Sequence, residues 1–347
     1  MVKYQTEFNT ILNRKIYYIP FKFPATKPRI ISNKETIQTQ IIQEPKKTDM
    51  YPLYRTLPSE MKRKKYYSSN NIDVVHWGQR KLLLSEIEFL TLFLSGYIDK
   101  KPIYVVYAGS APGTHILYLS KLFPRINFEL YDPRDFDTKL KSKHIKTHKQ
   151  YFTDDTADEW RSSKHPDKTI LFISDIRTGD IASMASEEVE VRVKIDNQCQ
   201  MDWYNIIMPK LSMFKFRLPY DSDNKTPYLD GDIYIQAYAP TNSTETRLIV
   251  SEKAQMKIYD DREFEEQMFY FNNHERIHNY DNLLYKIPAN EKYGIRNDYD
   301  GASEVYILEK YLGIILQIDS ENIILHITRM IDEISKELSK TRTLSKK

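Results

Sequence analysis

The segment Val105–His115, which reads Val-Val-Tyr-Ala-Gly-Ser-Ala-Pro-Gly-Thr-His, constrains the fold more than any other part of the chain. A β-rich run ends at Gly109, and a helical pattern begins after Gly113. The chain has only nine glycines, and glycine is required where the backbone approaches a ligand without a Cβ in the way. We therefore predict a buried strand, a ligand-binding turn through Ser110-Ala-Pro112, and a helix that opens at Gly113. Open α/β sheets bind nucleotide-like ligands at such strand ends.

Strand and helix patterns alternate along the central part of the chain. Short apolar runs are typical of strands that are buried on both faces. Alternation of such strands with helices predicts an α/β fold with a mostly parallel sheet and helices on both faces. The predicted strands cover residues 103–108, 126–131, 169–174, 211–216, 232–236 and 247–250, and the predicted helices cover residues 79–94, 114–123, 186–208, 302–317 and 320–338.

The two ends of the chain are basic and the middle is acidic. Residues 1–67 have a net charge of +9 and residues 335–347 of +4, so the total of +3 leaves −10 for the middle. This asymmetry indicates contact with a polyanion such as nucleic acid, although basic ends can also serve only solubility. We predict a basic, proline-rich extension over 1–67, one α/β domain over 68–335, and a basic flexible tail over 336–347.

Several classes of protein are excluded by the sequence. The single cysteine, Cys199, rules out an intramolecular disulfide framework and a cysteine-based zinc cluster, which fits a reducing compartment. No apolar run reaches the roughly 18 to 20 residues that span a bilayer, and the N-terminus lacks a signal-peptide pattern. The eight histidines are scattered, and we predict no metal site.

Two acidic residues follow predicted strands near the ligand-binding turn. Asp132 comes after the second strand, where an acidic side chain is placed to accept ribose hydroxyls. Asp175 comes after the third strand and is expected to face the same crevice. Each residue alone is equally typical of a turn or a helix cap. Because the turn lacks the lysine of a phosphate-binding loop, the pattern favours an adenosine ligand without a pyrophosphate.

Several motifs occur together in an order that resembles the poxvirus family of cap-specific 2′-O-methyltransferases, whose members also serve as the small subunit of the viral poly(A) polymerase. The resemblance covers roughly residues 76–275, is weaker to about residue 335 and is absent from the first 60 residues. It implies a Rossmann-like methyltransferase fold that uses S-adenosylmethionine, and a source among large cytoplasmic DNA viruses. The motifs are His-Trp-Gly-Gln-Arg-Lys-Leu-Leu-Leu-Ser-Glu (76–86), the segment at 105–115, Ile-Ser-Asp-Ile-Arg (173–177), Phe-Lys-Phe-Arg-Leu-Pro-Tyr (214–220), Gln-Ala-Tyr-Ala-Pro (236–240), Thr-Glu-Thr-Arg-Leu (244–248) and Phe-Glu-Glu-Gln-Met-Phe-Tyr-Phe-Asn (264–272).

The resemblance implies a catalytic set of Lys81, Asp175, Lys215 and Glu245. A ribose 2′-hydroxyl is a poor nucleophile, so the site must orient it and remove its proton. The resemblance assigns that role to Lys215, because burial or neighbouring cations can lower a lysine pKa from about 10.4 towards roughly 7 to 8. Taken alone, Lys215 is more typical of a lysine whose stem lies along a strand edge; the four motif matches that occur in order favour the catalytic role.

The resemblance also implies residues for each ligand. S-adenosylmethionine is assigned to Gln79, Tyr107, Gly109, Ser110, Ala111, Pro112, Gly113, His115, Asp132, Arg134, Phe152, Thr153 and Asp175. The capped transcript is assigned to Arg177, Arg217, Tyr220, Ser222, Ser243, Thr244, Glu245 and Glu265.

In the family, a positively charged methylated guanine lies between two aromatic rings with carboxylates at its edge. Tyr220 matches one ring and Glu265 one carboxylate, and Arg217 is expected on the transcript backbone. The second carboxylate falls at Ser222, with Asp221 or Asp223 as alternatives after a one-residue shift. The second ring is open among Tyr51, Tyr54, Tyr66 and Tyr67.

Three functions remain open at this point. The first is an active cap 2′-O-methyltransferase. The second is a non-catalytic RNA-binding subunit of a viral poly(A) polymerase, to which the basic run Met61–Lys65 would contribute by binding phosphates. The third is a methyltransferase for ribosomal or transfer RNA. The expected partners are capped mRNA and the polymerase catalytic subunit, with no membrane and no metal. The resemblance implies action in the host cytoplasm, at the viral factory, and presence in the virion.

Overall fold

A seven-stranded sheet forms the centre of the chain. The structure is a computed structural model, and it describes residues 7–9, 14–16, 52–65, 78–179, 184–220, 222–278, 280 and 298–339. The strands of the central sheet and of a separate two-stranded ladder are β1 (Ile103–Ala108), β2 (Ile126–Tyr131), β3 (Ile145–His148), β4 (Thr169–Ser174), β5 (Leu211–Phe216), β6 (Lys225–Leu229), β7 (Asp232–Tyr234), β8 (Thr246–Ser251) and β9 (Met256–Asp260).

The sheet has the order β3-β2-β1-β4-β5-β8-β7. The five neighbouring strands β3, β2, β1, β4 and β5 are parallel, and β8 is antiparallel to both of its neighbours, β5 and β7. The mostly parallel sheet is therefore as predicted. The order reverses between β1 and β4, and in open α/β sheets this switch point is where a crevice forms at the carboxyl ends of the strands. Strands β6 and β9 pair with each other outside the sheet.

Helices cover both faces of the sheet. They are α1 (Gly78–Gly96), α2 (Ile116–Leu122), α3 (Asp154–Glu159), α4 (Ser186–Ile207), α5 (Asp261–Tyr270), α6 (Tyr299–Lys310) and α7 (Ser320–Ser339). Short π-helical turns at Phe271–Glu275 and Tyr311–Ile315 follow α5 and α6, and a 3₁₀ turn lies at Ser162–Lys164. The prediction that a helix opens at Gly113 was wrong. Gly113 has a φ of +68°, which is incompatible with a right-handed helix, so α2 begins at Ile116.

The alternation of side chains along β1 explains the two cores. Val105 and Tyr107 pack with apolar residues of α1, α2, α6 and α7. Val106 and Ala108 point to the other face and pack with residues of α3, α4 and α5. Successive residues of a strand face opposite sides of the sheet, so a continuous apolar run supplies both layers. Each fully buried large aliphatic or aromatic side chain contributes roughly 1.5 to 3 kcal/mol.

Part of the predicted N-terminal extension lies against this body. Leu57 donates its backbone N–H to Ile233, and Ile235 donates to Arg55, both at 2.8 Å. The Arg55 guanidinium forms two hydrogen bonds with Glu88 on α1, at 2.9 and 2.7 Å. The described part of this segment therefore extends the β7 edge of the sheet.

The remaining ends of the chain add two observations. A short antiparallel ladder pairs Glu7–Asn9 with Arg14–Ile16. Helix α7 continues to Ser339, so residues 336–339 are helical, although the basic tail was predicted to begin at 336. Within the described ranges, no helix combines the length and the apolar character that a membrane crossing needs.

Candidate active site

The turn after β1 is held open by two glycines in left-handed backbone conformations. Gly109 has a φ of +79° and Gly113 a φ of +68°. A Cβ on Gly109 would lie 2.9 Å from the backbone of Asp175, and one on Gly113 would lie 3.0 Å from the Leu140 side chain. The backbone conformation and the packing against the chain itself therefore require these glycines. From the sequence alone, we attributed them to the close approach of a ligand.

Asp132 lies beside this turn with its carboxylate buried and fully bonded. It accepts hydrogen bonds from the backbone N–H groups of Ala111 and Arg134, at 3.0 and 2.9 Å. The Arg134 guanidinium adds two more, at 3.0 and 2.9 Å. Burial raises the pKa of Asp132, but these hydrogen bonds outweigh it, so the pKa lies below its usual value. The site thus contains an ionised carboxylate beside the glycine turn, at the end of β2.

A buried polar network connects the start of α1 to the same turn. The Gln79 side-chain oxygen accepts a hydrogen bond from the Thr114 hydroxyl at 2.6 Å and lies 2.8 Å from His115 Nδ1. His115 Nε2 lies 2.9 Å from the Glu86 carboxylate. Burial, followed by Glu86 and Asp175, raises the pKa of Tyr107 well above its usual value. Glu86 was not among the predicted site residues, and its only signal was an acidic residue inside the apolar pattern of α1.

The other residues assigned to the methyl donor surround the same end of the sheet or support it. Ser110 donates its hydroxyl to the Tyr131 carbonyl at 3.3 Å. Thr153 caps α3 by accepting the Thr156 N–H at 3.3 Å. The Phe152 ring is buried and packs against Phe172 and Trp203.

Lys81, Asp175, Lys215 and Glu245 come together from α1 and from the ends of three strands. Lys215 Nζ lies 3.0 Å from Asp175 Oδ1 and 3.8 Å from Glu245 Oε2. Lys81 Nζ donates to Glu245 Oε1 at 2.5 Å. Lys215 and Asp175, each 16 % exposed, are the members of this set most accessible to solvent.

Arg247 belongs to the same cluster, and the sequence argument missed it. It pairs in register with Lys215 on the neighbouring strand. Its Nη2 lies 2.8 Å from Asp175 Oδ1 and 3.8 Å from Glu245 Oε1. The alternation of β8 was the available signal, because residues 245 and 247 share one face. We call Lys81, Asp175, Lys215, Glu245 and Arg247 the lysine–carboxylate cluster.

The cluster contains more cations than carboxylates. Its three cations face two carboxylates, and Arg177 adds a fourth cation by pairing with Glu245. Burial lowers the pKa of Lys81, and Arg247 and Lys215 lower it further against the opposing effect of Glu245. Burial raises the pKa values of Asp175 and Glu245, but the surrounding cations outweigh it and lower both. Both carboxylates are therefore ionised, and the excess positive charge can stabilise a developing oxyanion.

A cavity of about 130 Å³ adjoins the cluster. The Tyr220 hydroxyl accepts the backbone N–H of Thr244 at 3.1 Å, and the Ser243 hydroxyl accepts the N–H of Glu245 at 3.2 Å. The cavity therefore shares its wall with the cluster. Its lining contains the predicted Tyr220, Ser243, Thr244 and Glu265, together with Thr241, Asn242, Phe269 and Asn272.

Other predicted cap residues are not brought into this cavity. The Ser222 hydroxyl donates a hydrogen bond to the Asp261 carboxylate, at the start of α5, at 2.8 Å. This hydroxyl is therefore already bonded within the protein. The exposed Asp223 pairs with Arg262. Tyr54 packs against a separate apolar cluster that contains Phe271 and Tyr299. The remaining candidates lie outside the described residues: Tyr51, Tyr66, Tyr67 and Asp221.

Arg217 faces a carboxylate of this chain. Its guanidinium forms two hydrogen bonds with Glu190 of α4, at 2.9 and 3.0 Å. Its assignment to the transcript backbone remains a prediction. Over the described parts of the chain, no group of three or more His, Cys, Asp or Glu side chains has a geometry that could hold a metal ion.

The strand order, the glycine turn and the lysine–carboxylate cluster together define a Rossmann-like methyltransferase fold with its site at the carboxyl ends of the strands. A sequence profile of the poly A polymerase regulatory subunit family matches residues 49–326, and the chain belongs to that family. The resemblance predicted from the motifs is therefore confirmed. The match begins at residue 49, although the motifs indicated no resemblance within the first 60 residues.

Curated relatives carry the name cap-specific mRNA (nucleoside-2′-O-)-methyltransferase. The fowlpox virus protein is 29% identical over 238 residues, which cover 65% of this chain and 76% of the relative. The myxoma virus protein is 31% identical over 212 residues, which cover 57% of this chain and 61% of the relative. Among solved structures, bluetongue virus VP4, described as a multifunctional RNA-capping production line, matches with a TM-score of 0.41 at 14% identity. That match covers 66% of this chain and 35% of VP4.

Proposed function

We propose that this chain transfers a methyl group from S-adenosylmethionine to the ribose 2′-hydroxyl of the first transcribed nucleotide of capped mRNA. The observation that carries the proposal is the lysine–carboxylate cluster, which lies between the glycine turn and the cavity beside Tyr220. A ribose hydroxyl held there would meet Lys215, Asp175 and an excess of positive charge. Relatives of the same family are named for this activity.

The chemistry of the side chains around the turn fits the methyl donor. Asp132 is an ionised carboxylate placed to accept hydroxyl groups, and Gln79 is an amide at the start of α1. Arg134, which donates hydrogen bonds to Asp132, has a side chain that is 69% exposed. It can therefore turn towards solvent and release the Asp132 carboxylate oxygens to a ligand. When bound, S-adenosylmethionine supplies a methyl group attached to a positively charged sulfur.

Each residue of the lysine–carboxylate cluster has its own role towards the ribose 2′-hydroxyl. In its neutral amine form, Lys215 accepts a hydrogen bond from the 2′-hydroxyl and takes its proton as the oxygen attacks, which is general-base catalysis. Asp175, whose Oδ1 lies 3.0 Å from Lys215 Nζ, fixes that nitrogen in position, and its backbone adjoins Gly109 of the turn. Arg247 contacts the same Oδ1 of Asp175 at 2.8 Å, and Lys81 holds Glu245. Because these groups are fixed before the substrate arrives, they stabilise developing charge without reorganisation.

The cavity is the proposed site for the methylated guanine of the cap. Tyr220 offers a ring, Glu265 a carboxylate and Phe269 a second ring at the same wall. We propose Phe269 as the second ring, in place of the four tyrosines considered from the sequence. A cationic base gains both from stacking on rings and from a nearby carboxylate.

A second, compatible function is that of a processivity subunit for a viral poly(A) polymerase catalytic subunit, at work in the host cytoplasm. The family name supports it. Basic and aromatic side chains also lie side by side next to α5, and this combination favours contact with single-stranded RNA. Lys62 Nζ lies 5.9 Å from the centre of the Tyr270 ring. Lys64 Nζ lies 3.2 Å from His274 Nε2, and the Tyr270 and His274 rings stack at 4.5 Å.

The test is transfer of a labelled methyl group from S-adenosylmethionine to short RNAs, capped and uncapped. We expect cap-dependent 2′-O-methylation by the wild type and a loss of about 10²- to 10⁴-fold in Lys215→Ala, because general-base catalysis contributes a factor of that size. Lys210→Ala, which removes an exposed lysine just before β5, is the matched control. If the wild type transfers no methyl group but binds both ligands, the processivity function is favoured, and stimulation of tail elongation then tests it.

A further inference from the structure

Tyr220 is fixed at three points before any ligand binds. Its backbone N–H donates to Glu190 Oε2 at 2.9 Å, and its hydroxyl accepts the Thr244 N–H at 3.1 Å. The guanidinium carbon of Arg217 lies 4.0 Å from the centre of its ring. Arg217 does not line the cavity, whereas Tyr220 does. One face of the ring is therefore covered by a cation, which leaves the other face as the one on which a base in the cavity can stack.

Glu190 neutralises that cation. Both of its oxygens accept hydrogen bonds from the two terminal nitrogens of Arg217, at 2.9 and 3.0 Å. The two side chains are only 14% and 22% exposed. Such a bidentate pair is strong and directional, and it leaves both terminal nitrogens of Arg217 committed within the protein.

The charge on the covered face matters for what the open face binds. An aromatic ring attracts a cation through the negative potential of its face. A base stacked on the open face would lie on the order of 8 Å from the guanidinium, near enough for two like charges to repel inside a half-buried site. A neutral base would not feel this repulsion. The carboxylate of Glu190 offsets the repulsion between a cationic base and Arg217, because it neutralises the guanidinium.

We propose that Glu190 determines the preference of this cavity for a positively charged, N-methylated guanine over a neutral guanine. It does so by neutralising Arg217 behind Tyr220. The inference rests on the proposed function, since it assigns the cap base to this cavity. It makes Glu190 a positioning and specificity residue on α4, outside every motif that carries the family resemblance.

The experiment measures binding of 7-methylguanosine triphosphate and of GTP to the full chain by equilibrium dialysis. We expect Glu190→Gln to weaken the methylated ligand on the order of tenfold and to change GTP binding by less than about twofold. S-adenosylmethionine binding should not change. Glu187→Gln removes the same charge from the exposed first turn of the same helix and should leave all three affinities unchanged.

A double variant separates charge from structure. Glu190→Gln combined with Arg217→Gln removes the carboxylate and the cation together, so we expect the preference for the methylated ligand to return. Equal weakening of both ligands in Glu190→Gln, or no recovery in the double variant, would mean that the contact only braces the loop, and the inference would fail. A wild type that binds both ligands equally would instead overturn the assignment of the cap to this cavity, and the inference with it.

Discussion

Two neighbouring residues of α1 enter two different buried charge clusters. Arg80 pairs with Glu304 of α6, with nitrogen–oxygen distances of 2.5 to 3.1 Å, and donates to Ser335 of α7 at 2.8 Å. The Tyr238 hydroxyl also donates to Glu304, at 2.6 Å. We call these four residues the helical cluster. Lys81, the next residue, enters the lysine–carboxylate cluster, where cations outnumber carboxylates.

The difference lies in how completely each cluster satisfies its own polar groups. In the helical cluster one cation faces one carboxylate, and hydroxyl groups complete the hydrogen bonding. In the lysine–carboxylate cluster, Asp175 Oδ1 and Arg247 Nη2 are close enough for an ion pair, yet neither has a well-aligned hydrogen bond within the described part of the chain. A buried group that a fold leaves incompletely bonded needs an explanation, and a role towards a ligand is one such explanation. This difference agrees with the proposed function, in which the helical cluster stabilises the fold and the lysine–carboxylate cluster acts on a ligand.

The largest effect on stability should come from breaking the balanced cluster. Glu304→Gln leaves Arg80 as a buried, uncompensated charge, which costs about 3 to 5 kcal/mol. Denaturant unfolding measures this loss. Glu337→Gln, at an exposed position of α7, is the matched control and should change stability little. A loss below about 1 kcal/mol in Glu304→Gln would show that the helical cluster is not what holds α1 to the closing helices.

The next largest effect should be on the reaction and not on the fold. Arg247→Met removes one of two cations that hold Asp175, while Lys215 still pairs with it. We expect methyl transfer to fall about 100-fold, with partial recovery in Arg247→Lys because a charge returns without the fixed fork. Unfolding should change less than in Glu304→Gln. If both variants lose the same stability, the two clusters do not differ in kind.

The smallest effect concerns pH. The pKa of Glu245 in the folded state lies well below its usual value, so the unfolded state binds more protons at acidic pH. The contribution of Glu245 to the free energy of unfolding is therefore fully present above pH about 4 and is lost as pH falls further. We expect the stability gap between wild type and Glu245→Gln to be on the order of 1 to 2 kcal/mol near neutrality and to shrink on acidification. Urea unfolding of both chains across this range measures it. A constant gap would contradict the charged form of Glu245.

The sequence predicted the regular elements where the local pattern was strong. Strands β1, β2, β4 and β5 have the predicted bounds, because each is a short, mostly apolar run in which most residues are buried. Strands β3, β6 and β9 were missed, because they are largely exposed or polar and only pairing with a neighbour makes them strands. For β3, pairing with β2 fixes four residues that carry no apolar pattern of their own.

The same distinction holds within the site. Lys81, Asp175, Lys215 and Glu245 were identified from short ordered motifs, and the structure brings them within hydrogen-bonding or ion-pair distance of one another. Arg247 and Glu190 were not identified. Arg247 depends on the register between β8 and β5, and Glu190 depends on where α4 lies relative to the loop after β5. Neither relation is visible in the spacing of residues along the chain.

The sequence by itself determined the class of fold and the position of the glycine turn, because apolar periodicity and short motifs are local properties. The four residues that begin the lysine–carboxylate cluster followed from the family resemblance that those motifs carry. Only the tertiary structure decided which charges meet. Arg80 and Lys81 are adjacent in the chain, yet one faces Glu304 and the other Glu245, because successive helical residues point about 100° apart and meet different neighbours. Burial then sets the energy of each pair, since charges removed from water must find partners among whatever the fold brings near them.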